Sequence, residues 1–221
     1  ESGPGEVTAI IGGTGSGKST LINLVPRFYD VTSGRIMING ADVHEMDLKD
    51  LRNKIGLVPQ KTLLFNGSVT ENVKYGNENA NDEAVKKAVN TAQGLEFVEA
   101  MDDGFNSIIA QGGSNISGGQ KQRLSIARAL LKRPEIYLFD DSFSALDYKT
   151  ESLLRDALKE ETQEATVIVV AQKVTSVMDA DRIIVLDEGE AVGIGTHKEL
   201  LKTNSVYKEI VMSQLSEEEI A

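Results

Sequence analysis

The 221-residue chain contains no cysteine. It therefore has neither a disulfide framework nor a thiol nucleophile, which suits a reducing compartment. Histidine is scarce: His44 and His197 stand alone among polar neighbours and are expected on the surface. So few ligands leave no His/Cys/carboxylate cluster of the kind a metal hydrolase needs. Long apolar runs are missing as well, and none comes near the roughly 18 residues that cross a bilayer. Basic residues are outnumbered 23 to 34, a net charge of −11, which argues against a surface that coats nucleic acid. Aromatics make up 5% of the chain, and none precedes Gly12.

What is present is ordinary globular material, 40% hydrophobic and 26% charged, enough for one large domain or two small ones. It is organised around Gly12-Gly13-Thr14-Gly15-Ser16-Gly17-Lys18-Ser19-Thr20, which fits G-x-x-x-x-G-K-[ST]. The apolar run Val7 to Ile11 leads in as a strand, and Leu21, Ile22, Leu24 and Val25 lead out with helical spacing. In that context the pattern is a phosphate-binding loop. Glycines let successive backbone N–H groups turn onto an anion, and the helix N-terminus adds partial positive charge. Lys18 would reach the β- and γ-phosphates and Ser19 would ligate Mg²⁺.

The rest predicts an α/β fold with a helical insert. Strands are expected at 35–39, 55–58, 136–139, 166–171, 183–186 and 191–194, and helices at 47–54, 120–132, 150–161 and after a capping box at 196–199. Residues 68–100 are helical in pattern, and 104–119 are glycine-rich and irregular. The continuous apolarity of Ile136-Tyr137-Leu138-Phe139 marks a central parallel strand covered on both faces. The acidic Glu217-Glu218-Glu219 is expected to fray. The first strand starts only a few residues after Glu1, so the chain reads as a fragment of a longer polypeptide.

Asp140 closes a buried strand, where a carboxylate can hold Mg²⁺ beside the phosphate loop. Asp141 follows, placed to orient an attacking water or take its proton. In Asn115-Ile116-Ser117-Gly118-Gly119-Gln120, a serine and two glycines open a helix. On the residues alone this is either a second anion site or a plain N-cap.

Taken in order, these stretches resemble the nucleotide-binding domain of an ABC transporter. Residues 12–20 resemble Walker A, Gln60 the Q-loop, Ile116-Ser117-Gly118-Gly119-Gln120 the LSGGQ signature, 136–140 Walker B, and Ser144-Ala145-Leu146-Asp147 the D-loop. Residues 47–72 resemble the exporter subfamily in particular.

The resemblance implies a P-loop NTPase (RecA-like) core at 1–66 and 134–221 with a mostly parallel sheet, and a helical, signature-bearing subdomain at 67–133. It implies ATP and Mg²⁺ as cofactors. Gly13, Thr14, Gly15, Ser16, Gly17, Lys18, Ser19 and Thr20 would hold the nucleotide, and Ser117, Gly118, Gly119 and Gln120 would serve a facing domain. Ser19, Gln60 and Asp140 would surround the metal, with Asp141, Gln60 and Gln172 catalytic. The partners implied are a second such domain and the coupling helices of a transmembrane domain, reached near 60–72, at the cytoplasmic face of the membrane.

Besides Ile116 for the signature's usual Leu, three positions depart from the family pattern. Asp141 stands where Glu is usual, Gln172 where a switch His is usual, and Gln111 where exporters tend to carry Glu. Asp is shorter by one methylene, about 1.5 Å, and a misplacement of about 1 Å can cost on the order of a hundredfold in rate. Gln172 can donate a hydrogen bond but cannot become a cation or relay a proton. The expectation is a site that binds MgATP and hydrolyses it slowly, as in the degenerate-site subunit of heterodimeric exporters, while the signature completes a partner's site. The alternatives are a fully active domain of a homodimeric exporter and a soluble ABC-type ATPase. The repair and translation members of that last class carry a coiled-coil insert or paired domains, and neither is visible in these 221 residues. The family's adenine-stacking aromatic is expected upstream of residue 1.

Overall fold

The computed structural model describes residues 1–216, so Glu217-Glu218-Glu219 lies outside the described residues. The chain begins with strand β1 (Val7–Ile11), the phosphate loop and helix α1 (Lys18–Leu24). A two-residue hairpin, β2 (Met37–Ile38) and β3 (Ala41–Asp42), stands where a five-residue strand was expected. Asn39 and Gly40 both take positive φ, 52° and 81°, and this tight Asn-Gly turn ends the strand early. Helix α2 (Leu48–Asn53) is capped by Asp47, whose side chain accepts from the N–H groups of Lys49 and Asp50, and β4 (Ile55–Val58) follows.

The chain then leaves the main sheet. Strand β5 (Gly67–Ser68) leads to helices α3 (Val69–Lys74), α4 (Asp82–Thr91) and α5 (Leu95–Glu99). Strand β6 (Ile108–Ile109) pairs back to β5 through the irregular segment. Helix α6 (Gly118–Lys132) starts two residues earlier than the glycine content predicts. The reason is its capping box: Ser117 and Gln120 each satisfy the other's backbone N–H.

Strand β7 (Ile136–Asp140) returns to the sheet, followed by α7 (Tyr148–Glu161), β8 (Thr166–Val170), β9 (Arg182–Asp187) and β10 (Glu190–Gly195). One closing helix was expected, but two form, α8 (His197–Thr203) and α9 (Ser205–Gln214). Asn204 separates them: its backbone is extended, its carbonyl side-chain oxygen caps α9 at Tyr207, and its amide donates to the Val192 carbonyl at 2.8 Å. The fold-back also corrects the expectation for His197. It is half-buried, with Nδ1 2.7 Å from the hydroxyl of the fully buried Tyr207. His44 is exposed, as expected, facing Asp30.

The main sheet runs β10-β9-β1-β8-β7-β4, parallel except for β10. Its central parallel strands are apolar on both faces because both are covered, whereas the edge strand β10 is largely exposed. Ala9, Ile11, Tyr137, Phe139, Val167 and Val169 point into a core shared with α4, α6 and α7. Ile10, Leu138 and Val170 point into a smaller core with Ile22 of α1 and Leu51 of α2. This is an α/β P-loop fold with a helical insertion between β4 and β7, and every strand that matters to the site ends at one edge.

Candidate nucleotide-binding site

Gly12 cannot carry a side chain: a Cβ there would lie 2.0 Å from the Leu186 carbonyl of β9 and 2.7 Å from the Ser16 hydroxyl. The loop is therefore pressed against the sheet at its start. At its end Gly17 takes φ 95°, a left-handed turn that aims the chain into α1. Between them Gly13, Thr14 and Gly15 are exposed, and a Cβ on Gly13 or Gly15 would meet nothing. Thr20 is exposed at the start of α1, while the Ser16 side chain is buried against Lys18.

Lys18 is 7% exposed, and its ammonium donates to the carbonyls of Gly12 (2.9 Å) and Gly13 (2.7 Å) and to the Ser16 hydroxyl (3.3 Å). Burial lowers its pKa, opposed by the charges of Asp141 and Asp140. Ser19 donates its hydroxyl to Asp140 Oδ1 at 2.9 Å. Two hard oxygens so placed beside an open loop suit Mg²⁺, which takes few protein ligands and keeps several waters. The open loop, the ammonium and this oxygen pair together fit a magnesium-bound triphosphate.

The three residues expected to be catalytic come from the ends of three adjacent strands. Gln60 lies two residues past β4, Asp141 one past β7 and Gln172 two past β8. Neighbouring strands lie about 4.8 Å apart, so the side chains converge. Asp141 Oδ2 accepts from Gln60 Nε2 at 3.2 Å and from Gln172 Nε2 at 3.4 Å. Gln60 and Gln172 thus both turn their amide nitrogens onto one carboxylate oxygen. Asp141 has φ 48°, an unusual backbone for a residue other than glycine. Its N–H donates to the Val170 carbonyl at 2.8 Å and its carbonyl accepts from the Ser144 hydroxyl at 2.9 Å. The sequence carried no sign of this strained pivot. Nor did it single out Ser142, fully buried, whose hydroxyl ties β7 to the Val58 carbonyl at the end of β4.

The second glycine stretch stands apart. No hydrogen bond or ion pair among the described residues joins Ser117, Gly118, Gly119 or Gln120 to residues 12–20. The side chains of Ser117 and Gln120 are engaged in the capping box, so the plain-cap interpretation is true of them, yet the helix N-terminus stays exposed. Gly119 has a packing reason to be glycine, since a Cβ would lie 3.0 Å from the Ala145 carbonyl. Gln111 accepts from the Asn66 N–H at 3.2 Å, linking the segment before α6 to the loop after Gln60.

A family model described as ABC transporter matches residues 1–144. The chain is 46% identical, over 96% of its length, to an uncharacterised ABC transporter ATP-binding protein of Mycobacterium tuberculosis (strain ATCC 25618 / H37Rv), of which it spans 36%. It is 41% identical over 97% of its length to an ATP-dependent lipid A-core flippase of Chromobacterium violaceum, of which it spans 37%. Among solved structures, a bacterial Atm1-family ABC exporter with ATP bound superposes with a TM-score of 0.93 at 36% identity, covering 97% of this chain and 37% of that one. The chain thus spans little more than a third of the relatives it matches. With the loop, the strand-end carboxylates and the exposed second helix start in the family's order, the chain belongs to the ABC transporter family, as an ATP-binding domain of the exporter type.

Proposed function

We propose that this domain binds MgATP at residues 13–20, pairs with a second such domain across the nucleotide, and hydrolyses ATP slowly at its own site. The convergence of Gln60 and Gln172 on one carboxylate oxygen of Asp141 carries this reading. Lys18 and the loop N–H groups take the β- and γ-phosphates, and Ser19, Asp140 and the Gln60 carbonyl surround Mg²⁺ directly or through water. The bound Mg²⁺ supplies charge neutralisation for the phosphates. Asp141 orients the attacking water, held by two amides, neither of which can become cationic. Its carboxylate is one methylene short of the glutamate usual in the family, so the water is held less well. Ser117, Gly118, Gly119 and Gln120 face the partner domain's nucleotide, and their exposed helix start suits an anion. The scheme gives each pair one competent and one degenerate site.

The division into a core at 1–66 and 134–221 and a signature-bearing subdomain at 67–133 belongs to the same proposal. So does a place at the cytoplasmic face of a membrane, next to a transmembrane domain. No helix among the described residues is long and apolar enough to cross a membrane itself.

The test compares MgATP hydrolysis at high protein concentration for the chain, for Asp141→Glu with Gln172→His, and for Lys18→Ala. The double change is expected to raise turnover about tenfold, worth about 1.4 kcal/mol of barrier, over a slow parent rate. Brisk turnover by the unaltered chain would overturn the degenerate site and leave a fully active domain.

A further inference from the structure

Strand β8 ends at Val170, and Ala171 still donates to the Ile10 carbonyl of β1 at 3.2 Å. Apart from the Gln172 amide on Asp141, the tertiary hydrogen bonds of residues 172–176 come from two helices instead. On one side stands α7. The Glu151 carboxylate, 4% exposed, accepts from the Ser176 hydroxyl and lies 4.0 Å from the Lys173 ammonium. One turn on, Arg155 donates to the Thr175 carbonyl at 2.7 Å.

On the other side stands the last turn of α9. Gln214 donates Nε2 to the Gln172 carbonyl at 2.8 Å, and its Oε1 accepts from the Val174 N–H at 2.8 Å. One side-chain amide thus spans the peptides on either side of Lys173, as a neighbouring strand would. The helix that carries Gln214 is itself anchored by Val211, fully buried in the core three residues earlier. Between the two helices all five residues of 172–176 are tied by backbone or side chain, and Val174 is fully buried.

We infer that Gln214 is a positioning residue for Gln172, so that the docking of the last helix sets the geometry around Asp141. The inference rests on the proposed role of Gln172 in hydrolysis. Its physical basis is the reach of that side chain. The Gln172 to Asp141 contact is 3.4 Å, at the long end of a hydrogen bond. A backbone drift of a few tenths of an ångström breaks it. Gln214 is the only side chain among the described residues that hydrogen-bonds the Gln172 carbonyl, and it touches none of the residues proposed to hold phosphate or metal. Releasing it should therefore alter turnover and leave nucleotide affinity alone.

The experiment is a double-mutant cycle on the chain with Gln214→Ala, Gln172→Ala and both, read by MgATP turnover and by the side-chain amide resonance of Gln172. Gln214→Ala is expected to lower kcat about tenfold with KM for MgATP unchanged, and to shift the Gln172 amide. In the Gln172→Ala background it should add less than about twofold, because coupled residues are not additive. Multiplying effects, or an unmoved Gln172 amide, would overturn the inference and leave Gln214 a plain tie between helix and loop. If Gln172→Ala slows turnover and Gln214→Ala does not, the positioning role fails alone. If Gln172→Ala leaves turnover unchanged, the proposed role of Gln172 fails and the inference falls with it.

Discussion

Asp140 sits 6% exposed at the end of β7, accepting from Ser19 and next to a second carboxylate. Burial raises its pKa, the Ser19 hydroxyl lowers it, Asp141 raises it and Lys18 lowers it, with a net rise. A carboxyl whose folded pKa lies above its unfolded value favours folding when protonated. That contribution is complete below the unfolded value and is lost as pH rises through the folded one. At neutral pH the ionised group therefore works against the fold. Asp140→Asn keeps an acceptor for Ser19, and Lys18 keeps Asp141 as its counter-charge. The variant should raise the nucleotide-free Tm by about 1–3 °C at pH 7, and the gap should close as pH falls through the raised pKa. The same change should abolish Mg²⁺-dependent ATP binding. Thermal melts from pH 4 to 8, with and without MgATP, check both halves. A variant less stable than the parent at pH 7 would contradict the sign.

At the scale of elements, the main sheet was readable because its strands are continuous apolar runs between turn residues. The phosphate loop was readable because its chemistry is contained in nine consecutive positions. The short pairs β2–β3 and β5–β6 have two residues per strand, too few for any periodicity to show. The break between α8 and α9 depends on Asn204 reaching β10, a contact no local pattern encodes. The loop after Gln60 is similar. Its organiser is Asn72, 1% exposed in α3, whose side chain accepts from the Phe65 N–H at 2.9 Å and donates to the carbonyls of Phe65 (2.9 Å) and Ser68 (3.1 Å). Arg128 of α6 then donates to the Asn72 carbonyl at 2.8 Å and to that of Leu63 at 3.1 Å. Asn72→Ala leaves several of these groups without a partner and should cost about 2–3 kcal/mol in urea unfolding. Glu71→Gln preserves a capping-box residue on the exposed side of the same helix and should leave the urea midpoint nearly unmoved. Equal costs for the two would show that the loop is not built around Asn72.

At the scale of the whole molecule, the net charge of −11 hides a local reversal. A groove of about 250 Å³ opens between the end of α1, strand β4 and helices α3 and α6. It is lined by Pro26, Phe28, Leu57 and Tyr75 together with Arg52, Arg128 and Lys132. Phe28 and Tyr75 are 49% and 57% exposed, and Arg52 and Arg128 stack over their rings at 5.4 and 5.6 Å. Burial lowers the Lys132 pKa, and Lys132 donates to the carbonyls of Arg52 (2.6 Å) and Ile55 (2.8 Å), fixing the groove floor. Aromatic surface under a cationic rim suits a short amphipathic helix with acidic residues, and we propose it as the place where the proposed transmembrane domain would dock a coupling helix. The resemblance drew attention to the neighbouring 60–72, but the groove itself joins residues up to about a hundred positions apart, which only the folded chain brings together. Its wall is also one step from the site, because Arg128 grips the loop that follows Gln60. Phe28→Ala should therefore weaken docking by about 2 kcal/mol while hydrolysis by the chain alone stays unchanged. In an assembled transporter the variant should lose most of the turnover that transport substrate stimulates. If stimulation survives Phe28→Ala intact, the transmembrane domain docks elsewhere.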